Sequence, residues 1–182
     1  LENPFHIFHL GSLEWAPNRE AVMWFINEIW PKILLIDQRF KLFVAGKNMP
    51  DSMKGLNINN VFMVGEVKSG SEFISDKAIT VVPLLSGSGI RLKILEAMAA
   101  SKLVISTTIG AQGIKYTRGN ELLIADNLQE FESIFRKISE NPHSFDAVKK
   151  AGYNLVKTRY ANLAVVQELL DFYGKLLHTK ST

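Results

Sequence analysis

Three ionisable side chains, Arg91, Lys93 and Glu96, follow two glycines and two serines in the segment SGSGIRLKILE, residues 86–96. A cation near the start of a helix opposes the partial positive charge already there, so Asp or Glu is favoured at such positions and two cations call for an anion. Gly87 and Gly89 allow backbone angles and close approaches that a Cβ resists. Ser86 or Ser88 is placed to cap a helix beginning near Ile90. The free amides of that first turn, Ile90 and Leu92 among its residues, make a phosphate site with the helix dipole behind them. Arg91 and Lys93 then complement one or two phosphates instead of repelling the helix end.

Glu96 is the only acid in a helix otherwise built from Ile90, Leu92, Ile94, Leu95, Ala97, Met98, Ala99 and Ala100. A helix apolar on nearly every side is expected to be buried, and a carboxylate there to have partners. An ionised carboxylate accepts two hydrogen bonds side by side, and adjacent ribose hydroxyls offer two donors. Each feature alone has a plain structural explanation: a common turn, solvent-facing cations, or a Lys93–Glu96 pair one turn apart. Their co-occurrence favours a nucleoside diphosphate site.

Six short apolar runs must position these residues: 6–11, 40–46, 60–65, 78–83, 102–107 and 121–126. Both faces of each are apolar, the mark of strands buried in a parallel sheet. Helical patterns alternate with them. Asn18 is expected to cap a helix whose stripe is Val22, Phe25, Ile26 and Ile29, and Pro31 to kink or restart it. Weaker helices are expected at 51–56 and 71–77, stronger ones at 90–100 and 128–139, and two more at 145–158 and 161–178. The alternation predicts an α/β fold, a doubly wound parallel six-stranded, Rossmann-like sheet. In such sheets ligands bind beyond the carboxyl ends of the strands, where the strand order reverses. If the run 78–83 lies beside the first strand, residues 86–96 leave it at that crevice.

Composition limits the alternatives. With 182 residues, 47% hydrophobic and 21% charged, the chain suits a single globular domain over 1–182. A net charge of +3 without a basic stripe gives little support to nucleic-acid binding. The absence of cysteine excludes disulfides and thiolate metal sites and is compatible with a reducing cytoplasm. No apolar run is long enough for a membrane span, and no signal-peptide pattern opens the sequence. It begins at Leu1 and enters FHIFHL almost at once, as an excised piece of a longer polypeptide would. His6, His9, His143 and His178 stand in no catalytic spacing and are read as structural or solvated. Trp15, Trp24 and Trp30 are read as core or interface residues.

The segment SGSGIRLKILEAMAASKLVISTTIGAQGI, residues 86–114, resembles the signature region of the retaining glycosyltransferases of the large family-four group. HLGSLEWAPNREAVMWFINEIWP resembles the opening of that family's donor-binding lobe, and FKLFVAGKN and NVFMVGEV its next two strands. The resemblance implies one C-terminal lobe of a two-lobed GT-B fold, with the N-terminal acceptor lobe absent and this chain inactive alone. The activity implied is transfer of a sugar from a nucleoside diphosphate sugar, as donor substrate, to a saccharide or lipid-linked acceptor, with retention and without a cofactor or obligatory metal. No D-x-D triplet is present.

By the same resemblance Glu96 is the second glutamate of an E-x7-E motif and holds the donor ribose, while Ser88 stands at the first. Gly11 is the glycine of the first loop, but the arginine and lysine that follow it in many relatives are missing, and Arg91 and Lys93 take over that charge. Gly65, Glu66 and Val67 are placed beside the base, and residues 111–114 beside the sugar diphosphate. Bacterial surface polysaccharide or glycolipid assembly is the implied setting. The protein is expected in the cytoplasm, with peripheral contact of the missing lobe at the inner membrane face. A nucleotide-sugar epimerase of the same architecture, or a non-catalytic nucleotide-binding module, is the alternative. A nicotinamide dinucleotide domain is disfavoured because GSLEWAP lacks the G-x-G-x-x-G fingerprint.

Overall fold

The computed structural model describes residues 2–160. The helix expected at 161–178 lies outside the described residues. Strands β1 (Asn3–Leu10), β2 (Lys41–Ala45), β3 (Val61–Gly65), β4 (Lys77–Val82), β5 (Leu103–Ser106) and β6 (Leu123–Ile124) form one parallel sheet. Its order is β3-β2-β1-β4-β5-β6, so the direction of winding reverses between β1 and β4. Ile7 pairs with Ile79 and Phe8 with Thr80 across that junction.

Successive β1 side chains point to opposite faces and feed two cores. Ile7 joins Val22, Phe25, Ile33, Phe131 and Phe135 on the face covered by α1 (Ala16–Trp24), α2 (Trp30–Ile36) and α6 (Leu128–Glu140). Phe8 joins Ile74, Ile94, Ala97 and Met98 beneath α4 (Gly70–Ile74) and α5 (Leu92–Ala99). A short helix α3 (Asp51–Lys54) precedes β3, and α7 (Asp146–Leu155) ends in a wide turn, Val156–Tyr160.

The first helical region corrects one sequence expectation. Its N-cap is Trp15, and Pro17 sits in the first turn, where its missing amide costs nothing. Asn18 is therefore inside the helix and buried, and its side chain is free for another role. The expected stripe of Val22, Phe25, Ile26 and Ile29 is buried. Pro31 restarts the helix: the backbone widens into a π-helical turn over Phe25–Ile29 before α2 resumes at Trp30. A proline ring cannot donate to the carbonyl four residues back and crowds it, and the wider turn relieves both problems.

The exits of β1 and β2 meet at two glycines. A Cβ built on Gly46 would lie 1.7 Å from the Gly11 carbonyl oxygen, and the Gly11 amide donates to the Ala45 carbonyl at 3.1 Å. A methyl group there must push one backbone segment off the other. Gly46→Ala is expected to lower unfolding stability by about 1–3 kcal/mol, measured by urea denaturation. An unchanged midpoint contradicts this packing.

Candidate functional site

The cleft between β1 and β4 is built from two strand exits. After β1 the chain turns through Gly11 and Ser12. From α1, Asn18 Nδ2 donates to the Ser12 carbonyl at 2.7 Å, and Arg19 Nη1 donates to the carbonyls of Leu13, at 2.9 Å, and Glu14. These bonds fix the first loop against the helix that follows it. After β4 the chain runs through Ser86, Gly87, Ser88 and Gly89 to Arg91. Gly87 and Gly89 have φ of 107° and 87°, the region that glycine alone enters cheaply. A Cβ on Gly87 would lie 2.8 Å from Arg91 Nη2 and 2.9 Å from Trp15 Cη2. The close approach of loop, guanidinium and indole therefore requires glycine.

Helix α5 begins two residues later than the sequence suggests, at Leu92, with Arg91 as its N-cap in extended conformation. Neither Ser86 nor Ser88 caps it: both are exposed, and no side chain accepts from its first turn. Arg91 occupies that corner instead. Its Nη1 donates to the carbonyls of Ser88 and, at 3.0 Å, Gly89, while its guanidinium lies 5.2 Å from the Trp15 ring centre. Arg91 is only 7% exposed, and its Nε and Nη2 are buried without a hydrogen-bond partner. An unpaired buried guanidinium donor costs free energy that only an acceptor can return. Gly87 of the exposed 86–90 segment and the Trp15 ring lie against the guanidinium.

Lys93 turns toward the first loop rather than toward solvent or Glu96. Its Nζ donates to Asn18 Oδ1 at 2.8 Å and lies 3.4 Å from His9 Nε2; a Cβ on Gly11 would lie 2.6 Å from it. Burial, then the nearby Arg91 charge, lowers the Lys93 pKa to about 8. His9, 1% exposed, is bonded through Nδ1 to the Val81 carbonyl at 3.0 Å. Burial, followed by the Lys93 charge, lowers its pKa to about 3, so it stays neutral and its Nε2 faces Lys93 as an acceptor.

Glu96 overturns one expectation. It is exposed, because α5 buries only the side carrying Ile94, Ala97 and Met98 and leaves Leu92, Ala99 and Ala100 open. Glu96 instead borders a cavity of about 580 Å³ lined also by Lys93, Leu10, Thr80, Gly70 and Ser71. A second cavity of about 200 Å³ is lined by Gly11, Gly46, Glu66 and Val67, and shares Leu10 and Gly70 with the first. The two form a trough running from the β3 exit to α5. Gly65 is buried at the end of β3, its carbonyl accepting from the Gly46 amide at 2.8 Å.

The structure thus brings Gly11, Glu66, Val67, Lys93 and Glu96 to one trough, while Gly87 and Gly89 surround Arg91, which lines neither cavity but whose charge acts on Lys93. Ile90 and Leu92 are exposed on the rim, 50% and 66% respectively, and enter neither cavity. Sequence reasoning missed Trp15 as the cover of Arg91, and Asn18 and His9 as the partners of Lys93. The signal for Asn18 was Pro17, which marks an earlier helix start.

The family described as Glycosyl transferases group 1 matches residues 4–141. An uncharacterized 44.6 kDa protein in the cps region of Klebsiella pneumoniae is 24% identical over 173 residues, covering 90% of this chain and 45% of that protein. Among solved structures, Anabaena HepE in complex with UDP superposes with a TM-score of 0.72 at 13% identity, covering 94% of this chain and 49% of HepE. The C-terminal domain of LpcC, a glycosyl transferase group 1 family protein of Francisella tularensis, gives a TM-score of 0.65 at 18% identity, covering 88% of each chain. The chain therefore spans about half the length of the K. pneumoniae relative and of HepE, and nearly all of the LpcC domain. Since the family match takes in strands β2 to β6, all of β1 but Asn3, and the whole trough with its two strand exits, the chain belongs to the group 1 glycosyl transferases.

Proposed function

We propose that this chain is the donor-binding lobe of a glycosyltransferase that moves a sugar from a nucleoside diphosphate sugar to a saccharide or lipid-linked acceptor. The acceptor is held by a second, N-terminal lobe, and the transfer retains anomeric configuration. The observation that carries this reading is the buried Arg91, with two unpartnered donors and a charge that acts on Lys93, at the reversal of the sheet. Two buried guanidinium donors without an acceptor are costly, and an anion is the ligand that would satisfy them. Breaking the bond between the sugar and the diphosphate leaves new negative charge on the diphosphate oxygen, and Arg91 and Lys93 are held where they neutralise it. HepE was crystallised with UDP, which makes the uridine nucleotide the first to test. The cps-region relative in K. pneumoniae supports a bacterial setting. Among the described residues no helix is long and apolar enough to cross a membrane.

In this reading Glu66 and Val67 lie beside the base, Glu96 accepts from the ribose hydroxyls, and the diphosphate meets Lys93 and Arg91. Calorimetric titration with uridine, guanosine, adenosine and thymidine diphosphates tests it. Glu96→Gln removes the charge from the ribose contact, and a hydrogen bond to a charged group contributes about 1.5–3 kcal/mol. The variant is expected to bind UDP about tenfold more weakly, yet inorganic pyrophosphate as wild type does, since pyrophosphate has no ribose. Equal loss for both ligands contradicts the assignment of Glu96.

A further inference from the structure

The contacts of Lys93 carry an inference that rests on the nucleotide reading above and goes beyond it. An ammonium has three protons. Asn18 Oδ1 at 2.8 Å takes one, and His9 Nε2 at 3.4 Å faces a second. The third is left for the trough, whose wall Lys93 forms together with Glu96 and Thr80. We propose that His9 and Asn18 are positioning residues that hold Lys93 as a proton acceptor linked to the ligand, so that the site takes up a proton from solvent as the diphosphate binds.

The surroundings of Lys93 set the direction. Its own helix contributes Arg91, which opposes its charge, and Glu96, which favours it less strongly. From β1 comes only the neutral His9, and from α1 the uncharged amide of Asn18. Thr80 of β4 and Ser71 of α4, which share the cavity wall, carry no charge. No carboxylate forms an ion pair with Lys93 among the described residues. Burial and Arg91 thus hold its pKa near 8 in the free protein. A diphosphate adds negative charges beside Nζ and raises that pKa, so the complex holds more protons than the free protein. The proton leaves a buffer acid, whose bond to it breaks and which keeps the electron pair, and forms an N–H bond with the Nζ lone pair.

The sign follows from linkage. At a pH equal to the free pKa, half of the lysines are already charged, so binding draws in about half a proton per nucleotide near pH 8. The uptake falls toward zero below neutrality and approaches one proton at higher pH. UDP affinity accordingly declines as pH rises through about 8.

Calorimetric titration of UDP near pH 8, repeated in buffers of different ionisation enthalpy, counts the protons directly. Wild type is expected to take up about half a proton, while Lys93→Arg, with a guanidinium that does not titrate, takes up none. Asn18→Asp places a carboxylate on Lys93 Nζ, raises its pKa in the free protein and is likewise expected to abolish uptake near pH 8 while still binding UDP. A merely structural Asn18 predicts the wild-type count in that variant. Binding of UDP without proton uptake by wild type, or undiminished uptake in Lys93→Arg, overturns the inference and leaves the nucleotide site standing. Failure to bind any nucleoside diphosphate overturns both.

Discussion

Arg91→Ala is expected to weaken UDP binding by at least ~100-fold. The guanidinium offers two unpartnered donors, Nε and Nη2, and a hydrogen bond between charged partners contributes about 1.5–3 kcal/mol. Arg91→Lys is expected to recover only a fraction of that loss, because an ammonium cannot keep Nη1 on the Ser88 and Gly89 carbonyls while presenting two further donors to a phosphate. Arg91→Met separates a binding role from a structural one. In the free protein the two donors are buried and unsatisfied, a burden that a flexible apolar side chain beside Trp15 removes. Arg91→Met should therefore unfold at a temperature no lower than wild type while losing nucleotide affinity as Arg91→Ala does. A variant that unfolds early and binds UDP normally makes Arg91 a structural residue and contradicts the account.

Acid should weaken the fold through His9. In the unfolded chain this imidazole titrates near its ordinary value of 6.5; in the fold, burial lowers it to about 3. Between those values the unfolded chain binds a proton that the folded chain does not, so stability falls as pH falls. The contribution is fully present above pH 6.5 and is lost at about 1.4 kcal/mol per pH unit down to about 3. His6 is lowered in the same direction, chiefly by burial, and adds to the slope. The contribution of His9 is isolated by comparison with His9→Gln, which has no titratable ring. Urea denaturation at pH 6.5 and pH 5 is expected to show wild type losing about 2 kcal/mol more than the variant. Parallel losses in the two proteins would mean that His9 is charged, or open to water, in the fold. A charged His9 would also face the Lys93 ammonium at 3.4 Å, which would reduce the affinity of the site for its own cation.

The sheet was legible because a parallel strand buried on both faces writes itself as a continuous apolar run. All six runs became strands, and placing residues 78–83 beside the first strand put the glycine segment at the reversal of the sheet. Element ends were less legible. Asn18 is a good capping residue by type, but a single sequence does not show that Trp15 can start the helix by backbone geometry alone. Glu96 was misplaced for a related reason. Eight apolar neighbours suggest burial on all sides, yet small residues such as Ala99 and Ala100 are as easily left exposed at a cleft edge, which is where Glu96 lies.

Within the site, local spacing and long-range partners differ in the same way. That Arg91 and Lys93 belong together followed from charge near a helix start. That they diverge did not: Arg91 folds back under Trp15, seventy-six positions earlier, and Lys93 reaches across to His9 and Asn18. Those contacts exist only because β1 and β4 are neighbours in the sheet. The glycines carried information of both kinds. Gly87 and Gly89 were readable as a turn, whereas the closeness of Gly46 to the Gly11 carbonyl depends on the pairing of β1 with β2.

The most direct measurement is a crystal structure of this chain with UDP. The account predicts a diphosphate oxygen within hydrogen-bonding distance of Lys93 Nζ, another on Arg91 Nε or Nη2, and the ribose hydroxyls on Glu96. A nucleotide seated away from the β1 and β4 exits, or one bound there with both Arg91 donors still unpaired, would contradict it.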